Sequence, residues 1–578
     1  QNINENRVQR YLLEDGDLTL VDEKPEANMG AASTLADFLS WGVSNYPSER
    51  MGLILWDHGS GSINGVCFDE QYDYDSLTLG ELDHALNQVY DQMTDRFEFI
   101  GFDACLMSTL ETANVLTPYA RYMYASQEME PGSGWDYTSL LNNLAANPDQ
   151  DGAQLGEKVC REYYDHCADY GFGSQRSATF SIIDLSKIDD VLISMNEAFQ
   201  VVYEQGDLGD VTRAVLEADS FGGNSVSEGY SNMLDLGNML DQLSGYGQEV
   251  RDASQTLQSC VLYTMNGRLH KNASGLSVYY PVSIQGSEEL KIFSQICPSN
   301  YYYALIDKIA YGAENGSAAD YDNSTLLSDM ADINEWLGEE SGFTGDVSTN
   351  AGEFADIEIG QMGVSDIYFD EDGIYTVSFD NMDELAYACC SVGMDDDADG
   401  FFYLGTTEEV IYDIDRNCVT DNFDGLWPCI NDNLLALELV NTTDSCSIYT
   451  CNVLLNDEIE TNLRIEYDWE YDEWSVIGIW DGIDEETGMA SREVYELQEG
   501  DVITPAYYWF SVDDDEDWYY GDDIVVDGDL EITYEYLPEG VYYYCFELHD
   551  IYGNVYYTPF TLQYVDEDGE VWVDGEFY

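Results

Sequence analysis

The sequence predicts an α/β domain over residues 1–312, with a mostly parallel sheet and helices on both faces, and an all-β sandwich-like region over residues 353–578. Strand and helix patterns alternate through the first part, as in parallel sheets covered by helices. From Glu353 onward, short apolar or aromatic runs alternate with Asp- and Gly-rich turns, which is typical of β-sandwiches. Residues 313–352 are predicted to be a linker with a short helix.

The elements of the first part follow from apolar spacing and capping residues. An amphipathic helix over residues 34–46 leads into a short apolar strand before His58. Thr78 and Glu81 form a capping box that starts a helix running to about Met93, which leads into the strand before Cys105. Further patterns predict a strand over 121–128, a helix over 152–170, a strand over 178–184 and helical stretches to about residue 265.

Two of these predicted strands end beside chemically active side chains, His58 and Cys105. Ligands of open α/β sheets bind beyond the carboxyl ends of parallel strands, so a base and a thiol are expected to meet there. Gly59 has no side chain, and its backbone N–H and that of Cys105 are candidates for an oxyanion hole. The alternative for a single Cys at a strand end is a buried core position.

The motifs Asp57-His58-Gly59 and Asp103-Ala104-Cys105 resemble the clostripain family of cysteine peptidases, in the caspase–gingipain–legumain clan. The resemblance extends from about Val21 to Tyr311. It implies a caspase-like fold, a His58–Cys105 dyad without a third member, and cleavage after Arg or Lys. It also implies an earlier strand and helix, which are expected to be missing here or carried on a separate, cleaved light chain that stays docked.

A specificity pocket is predicted around Asp103. Asp103 lies two residues before Cys105, so both side chains point to one face of the strand, where a carboxylate would hold a guanidinium. The alternative is that Asp103 caps the next helix. Glu128, Glu130 and Asp136 are further candidates for an acidic wall, and the sequence does not choose among them.

Charge narrows the classes of partner. The chain has 19 Lys and Arg residues against 115 Asp and Glu residues, a formal net charge of −96. Such a surface repels nucleic acid and attracts cationic peptides and divalent cations. Beyond Lys308 the only basic residues are Arg416, Arg464 and Arg492. Protection from self-digestion and an acidic host proteome both explain this scarcity.

A calcium site is predicted at Asp395, Asp397 and Asp399, which match the start of an Asp-x-Asp-x-Asp-Gly loop. The twelfth position of that loop is Thr406 rather than the Glu of an EF-hand, and the flanking sequence is strand-like. The peptidase chemistry itself is expected to need no cofactor. The long acidic β region is predicted to hold one domain or two, with a boundary between residues 455 and 456.

The function expected from these features is a secreted cysteine endopeptidase acting after Arg or Lys on protein or peptide substrates. The sequence contains no apolar run long enough to span a membrane. An extracellular or cell-surface location is expected, with a signal peptide upstream of Gln1. Two alternatives stay open: the same dyad with another specificity, or a surface-binding protein whose peptidase-like part is an inactive scaffold.

Overall fold

The computed structural model of the protein describes residues 4–315 and 362–578, except 5, 15, 169–171, 207, 285–286, 371–372, 397–399, 444, 485–486, 493, 512–515, 529, 552–553, 567–568 and 570. Most of the predicted linker, with its short helix, therefore lies outside the described residues. No helix among the described residues is both long enough and apolar enough to cross a membrane.

The first part of the chain alternates helices with strands. Its helices are α1 (Ala32–Asn45), α2 (Gly61–Asn64), α3 (Leu79–Tyr90), α4 (Leu110–Leu116), α5 (Tyr137–Ala146), α6 (Gly152–Cys167), α7 (Phe172–Ser177), α8 (Ile188–Gln205), α9 (Leu208–Leu216), α10 (Leu236–Gln242), α11 (Gln248–Cys260), α12 (Ser287–Ile296) and α13 (Asn300–Asn315). Its strands are β1 (Arg7–Glu14), β2 (Asp17–Pro25), β3 (Gly52–Trp56), β4 (Val66–Asp69), β5 (Asp75–Leu77), β6 (Phe97–Asp103), β7 (Ala120–Ala125), β8 (Thr179–Asp184), β9 (Ser220–Phe221), β10 (Asn224–Ser225), β11 (Gly229–Tyr230), β12 (Met233–Asp235), β13 (Val261–Asn266) and β14 (Ser277–Tyr279).

The central sheet has the order β13-β8-β7-β6-β3. Strands β3, β6 and β7 are parallel, as the sequence predicted, whereas β8 and β13 join antiparallel at one side. The chain re-enters the sheet at the edge where β7 ends, and the Gln127 N–H donates to Thr179 Oγ1 at 3.0 Å there. This return makes β8 antiparallel to β7.

Helices cover both faces of the sheet because successive side chains of each strand point in opposite directions. On one face, Ile100 and Met123 pack in a core with residues of α1, α3, α4, α8 and α11. On the other face, Phe99 and Tyr124 stack with ring centroids 4.4 Å apart, against α5 and α6. The capping box of Thr78 and Glu81 at the start of α3 is confirmed.

The second part is all β, as predicted. Its strands are β15 (Val364–Phe369), β16 (Tyr375–Phe379), β17 (Leu385–Asp395), β18 (Gly400–Thr407), β19 (Val410–Asp413), β20 (Cys418–Asp421), β21 (Leu426–Ile430), β22 (Asn433–Leu434), β23 (Glu438–Thr442), β24 (Cys446–Leu455), β25 (Ile459–Asp468), β26 (Glu473–Trp480), β27 (Val494–Tyr495), β28 (Val502–Ser511), β29 (Glu516–Tyr520), β30 (Ile524–Val525), β31 (Ile532–Tyr536), β32 (Gly540–Asp550), β33 (Val555–Tyr557), β34 (Thr561–Val565) and β35 (Val571–Val573).

The predicted boundary between residues 455 and 456 does not separate two sheets. It falls in the turn of the β24–β25 hairpin, whose strands pair along their whole length. Strand β17, before that point, pairs with β32, after it. Both belong to one large sheet, so the two halves of the β region exchange strands and cannot be divided there.

Buried ion pairs fasten the β region to the α/β part. Arg464 of β25 donates from Nε and Nη2 to both carboxylate oxygens of Glu228, at 2.8 and 2.6 Å. The Glu228 side chain is fully buried, and that of Arg464 is 7% exposed. The Arg464 guanidinium also lies 4.1 Å from the ring centroid of Trp480. These contacts position the end of β26 over the carboxyl edge of the central sheet.

Replacing Glu228 by Gln is expected to lower the free energy of unfolding by about 3–5 kcal/mol, because Arg464 then stays buried without a counter-charge. The matched control is Asp413→Asn beside the exposed Arg416, which is expected to change stability by less than about 0.5 kcal/mol. Urea unfolding followed by tryptophan fluorescence measures both. Equal midpoints for the two variants would show that the buried pair does not fasten the β region.

Candidate active site

His58 and Cys105 follow β3 and β6, which are neighbouring strands of the central sheet. Trp56, the last residue of β3, is paired with Asp103, the last residue of β6, and the two predicted residues follow two positions later. Gly59 packs directly against the second loop: a Cβ there would overlap the Cys105 carbonyl oxygen and lie 3.1 Å from the Cys105 nitrogen. Only glycine permits this approach of the two loops.

Two backbone donors are open at this point. The N–H groups of Gly59 and Cys105 donate no hydrogen bond to any residue that the structure describes. The next residue, Leu106, has a φ of 64°, a left-handed conformation that is uncommon outside glycine and turns the chain sharply after the thiol. Both N–H groups of the predicted oxyanion hole are thus unpaired within the described part of the chain.

The Cys105 thiol is fully buried. The Glu130 N–H donates to its sulfur at 3.3 Å, and the thiol faces the Glu130 carbonyl at 3.7 Å. Burial raises the pKa of Cys105 to about 12, although the charge of Arg492 acts in the opposite direction. In this state the group is a protonated thiol.

The His58 ring is engaged by the β region rather than by Cys105. Its Nδ1 lies 2.8 Å from the carbonyl oxygen of Ala490, which can only accept, so Nδ1 carries the proton. The structure gives no hydrogen bond between His58 and Cys105.

Asp103 is fully buried at the place predicted for the specificity pocket. Its Oδ2 accepts hydrogen bonds from the Trp135 backbone N–H at 3.1 Å and from the Tyr137 hydroxyl at 2.8 Å. Gly134, with a φ of 65°, lies so close that a Cβ there would overlap the Asp103 carboxylate. Asp103 caps no helix; the cap of α4 is Thr109.

A guanidinium occupies this pocket, and it belongs to Arg492 of the β region. Its Nη2 donates to Asp103 Oδ1 at 2.7 Å, and its Nη1 donates to the Asp57 carbonyl at 3.2 Å. The Asp103 side chain is fully buried and that of Arg492 is 7% exposed. The sequence analysis did not single out Arg492 as part of the site.

Of the other acidic candidates, Glu130 borders the pocket. Its Oε2 accepts from the Trp135 indole N–H at 3.0 Å. Burial raises the pKa of Glu130 well above its usual range, the neighbouring Asp103 charge adds to this, and Arg492 opposes it. Burial next to Asp103 therefore favours the protonated form of Glu130.

Glu128 and Asp136 are not part of the pocket, contrary to the wider candidate set. Asp136 caps α5, accepting from the Ser139 N–H at 3.0 Å. Glu128 lies 3.2 Å from His270 Nε2, and Asp219 binds the other ring nitrogen at 2.9 Å. These side chains serve helix capping and a buried charge cluster instead.

Two places carry residue types that bind metal ions. Of the predicted calcium ligands, Asp395 ends β17, and Asp397 and Asp399 lie outside the described residues, so the calcium site stays a prediction. Donor atoms of Cys389, Glu547 and His549 lie within 4.8 Å of one another. His549 Nε2 and Glu547 Oε1 are 2.8 Å apart, and burial raises the pKa of the Cys389 thiol. Hydrogen bonding within this second group accounts for its geometry without an ion.

The sequence profile of the clostripain family matches residues 2–317, which is more than half of the chain. The chain belongs to the clostripain family. Clostripain of Hathewaya histolytica is 29% identical over 158 residues, which are 23% of this chain and 29% of that protein. The family resemblance of the two motifs is thereby confirmed, and with it the class of cysteine peptidases.

Two solved structures resemble this clostripain-family chain. A secreted C11 cysteine protease from Bacteroides thetaiotaomicron, in complex with an irreversible peptide inhibitor, shares 18% identity, with 55% of this chain and 88% of that chain covered and a TM-score of 0.40. An inactive zymogen C11 protease from Parabacteroides distasonis shares 16% identity, with 51% and 82% covered and a TM-score of 0.38.

The buried cluster of His270, Asp219 and Glu128 is expected to make the stability of this clostripain-family protein depend on pH. Burial lowers the pKa of His270, but Asp219 and Glu128 outweigh it and raise that pKa well above 6.5. When the pKa of a group is higher in the folded than in the unfolded protein, the group stabilises the fold fully at pH values below its unfolded-state pKa. This stabilisation is lost as the pH rises through the folded-state pKa. We expect His270→Gln to cost more stability near pH 6 than at about pH 9. Urea midpoints at both values measure the effect; exposed His84→Gln is the control, and an equal loss at both values would contradict it.

Proposed function

We propose that the protein is an endopeptidase that hydrolyses peptide bonds on the carboxyl side of Arg or Lys, with Cys105 as nucleophile and His58 as proton carrier. The observation that carries the proposal is the guanidinium held by Asp103 next to the thiol. A buried carboxylate at the floor of a pocket favours a cationic side chain, and Arg in particular can donate to it from two nitrogens.

The chemistry follows from the open donors and the two side chains. His58 accepts the proton of the Cys105 thiol as the sulfur attacks the scissile carbonyl carbon, and the N–H groups of Gly59 and Cys105 stabilise the resulting oxyanion. The intermediate collapses to a thioester as His58 gives a proton to the leaving amine. Water, deprotonated by His58, then attacks the thioester and releases the carboxylic acid and the free thiol.

Basic P1 specificity also agrees with how the chain displays its own basic residues. Arg464 and Arg492 of the β region are buried, whereas the Arg416 side chain is 57% exposed. A peptidase with this specificity thus meets few cleavable sites on its own β region. Action outside the cell, a docked light chain and calcium dependence belong to the same proposal and rest on family resemblance.

Asp103→Asn is expected to reduce kcat/KM about 100-fold for a fluorogenic peptide with Arg at P1, because the pocket loses its counter-charge. The matched peptide with Leu at P1 is expected to lose no activity, because its side chain forms no ion pair with Asp103. The ratio of the two values reports on the pocket, since effects on folding or access alter both alike. Equal losses would remove Asp103 from P1 recognition.

The control for that assay is Cys105→Ala, which is expected to abolish turnover of every peptide. If neither the wild type nor a variant with Arg492 replaced by Ala cleaved any of a panel with Arg, Lys, Asn, Asp or Leu at P1, the inactive-scaffold alternative would replace the proposal. If it cleaved only after an uncharged residue, the dyad would stand with another specificity.

Gly59→Ala is expected to lower kcat about 100-fold or more, because the added Cβ overlaps the Cys105 carbonyl and moves an oxyanion donor. Gly42→Ala is the matched control, since a Cβ there meets nothing within 4 Å. Initial rates with the Arg peptide measure both variants. A Gly59→Ala enzyme with wild-type kcat would exclude this N–H from catalysis.

A further inference from the structure

A segment of the β region lies over the candidate active site. The described residues that follow β26, 481–484 and 487–492, are called the covering segment. Ile483 and Ala490 form a β-bridge within it, and Asp484 N–H donates to the Met489 carbonyl at 3.0 Å. The covering segment contacts the α/β part through its backbone: the Gly488 carbonyl accepts from Ser60 Oγ, and the Ala490 carbonyl accepts from His58.

The covering segment also seals the thiol from solvent. Trp480, Ile483 and Ala490 share a buried cluster with Cys105 and Leu106. Cys105 is fully buried in this cluster, and the burial raises its pKa. A peptide substrate would have to occupy the same space to bring its carbonyl to the sulfur.

We propose that the covering segment is a built-in inhibitor, with Arg492 occupying the P1 pocket as a substrate side chain would, and that activity requires its displacement. The inference rests on the proposed function, because it assigns Asp103 the same ligand chemistry. It adds that Arg492 occupies the P1 pocket in the resting enzyme and that the covering segment carries this residue.

The hydrogen bonding of Arg492 is that of an exchangeable ligand rather than that of a permanent structural residue. Its Nε has no partner among the described residues, and neither does Oε1 of the neighbouring Glu130. Arg464, by contrast, donates from Nε and Nη2 to Glu228 and from Nη2 to the Gly222 carbonyl. The pocket therefore holds unused polar atoms that a better-fitting guanidinium can engage, which favours exchange by substrate.

The covering segment starts from a fixed point of the β region, while Arg492, Ala490 and Gly488 hold it against the α/β part. The Trp480 indole N–H donates to the Ser491 carbonyl at 3.0 Å, and Arg464 stacks on the Trp480 ring. Removing Arg492 from the pocket therefore leaves the anchoring contacts of the β region intact. The rival interpretation is a permanent strut, in which Arg492 ties the two parts together and never leaves.

The test compares wild type, Arg492→Ala and the control Arg416→Ala, which removes an exposed arginine of the same region. The first readout is the rate at which iodoacetamide alkylates Cys105, followed by mass spectrometry of the peptide that contains it. Arg492→Ala is expected to raise that rate and kcat/KM for the Arg peptide about tenfold or more, because the uncovered state becomes populated. Arg416→Ala is expected to match wild type.

A second variant keeps the proposal testable if Arg492→Ala fails to fold. Gly488 has a φ of 69°, and a Cβ there would overlap the Asn64 side-chain amide. Gly488→Val therefore pushes the covering segment away while leaving Arg492 and Asp103 unchanged. It is expected to raise Cys105 alkylation as Arg492→Ala does.

The possible outcomes distinguish failure of the inhibitor proposal from failure of the proposed function. Equal alkylation of Cys105 in folded wild type, Arg492→Ala and Gly488→Val would overturn the inhibitor. Faster alkylation without turnover of any peptide would keep the cover and refute the proposed function. Full wild-type turnover that neither variant increases would keep the function and refute the inhibitor.

Discussion

A buried carboxylate at the end of β6 requires a cation, and Arg492 supplies it. Asp103 is fully buried, and its second oxygen is already bound by Trp135 and Tyr137. Isolated charges of this kind are too costly to bury, so the pocket is stable only when a guanidinium or an equivalent cation faces it. The position of the covering segment, the burial of Cys105 and the orientation of His58 all depend on that pairing.

Scarce positive charge explains how the two parts of the chain meet. With a net charge of −96, two acidic surfaces would repel each other, so their junction needs cations. Arg176 and Arg268 of the α/β part bind Glu466, and Arg464 of the β region binds Glu228 in return. Several of the few arginines thus lie where the parts touch, and Arg492 also reaches the active site.

The sequence predicted the parts of the fold that local patterns encode. The parallel strands before His58 and Cys105, the capping box of α3 and the all-β character of the second part follow from apolar spacing. The antiparallel strands β8 and β13 and the exchange of strands across residue 455 depend on long-range pairing, which spacing does not encode. At the site, glycine and carboxylate patterns pointed to Gly59 and Asp103, but nothing local linked Arg492 to a strand 389 residues earlier. The one available signal was that Arg492 is among the only three Lys or Arg residues beyond Lys308.

The distance along the chain between His58 and Ala490 sets an order in time. The two residues are 432 positions apart, and the ribosome delivers the α/β part first. At translation rates of about 5–20 residues per second, the covering segment follows the end of the α/β part at residue 312 by about 10–40 seconds. During that interval a folded α/β part has its pocket empty, with Asp103 unpaired. The nascent chain that emerges meanwhile offers it almost no lysine or arginine.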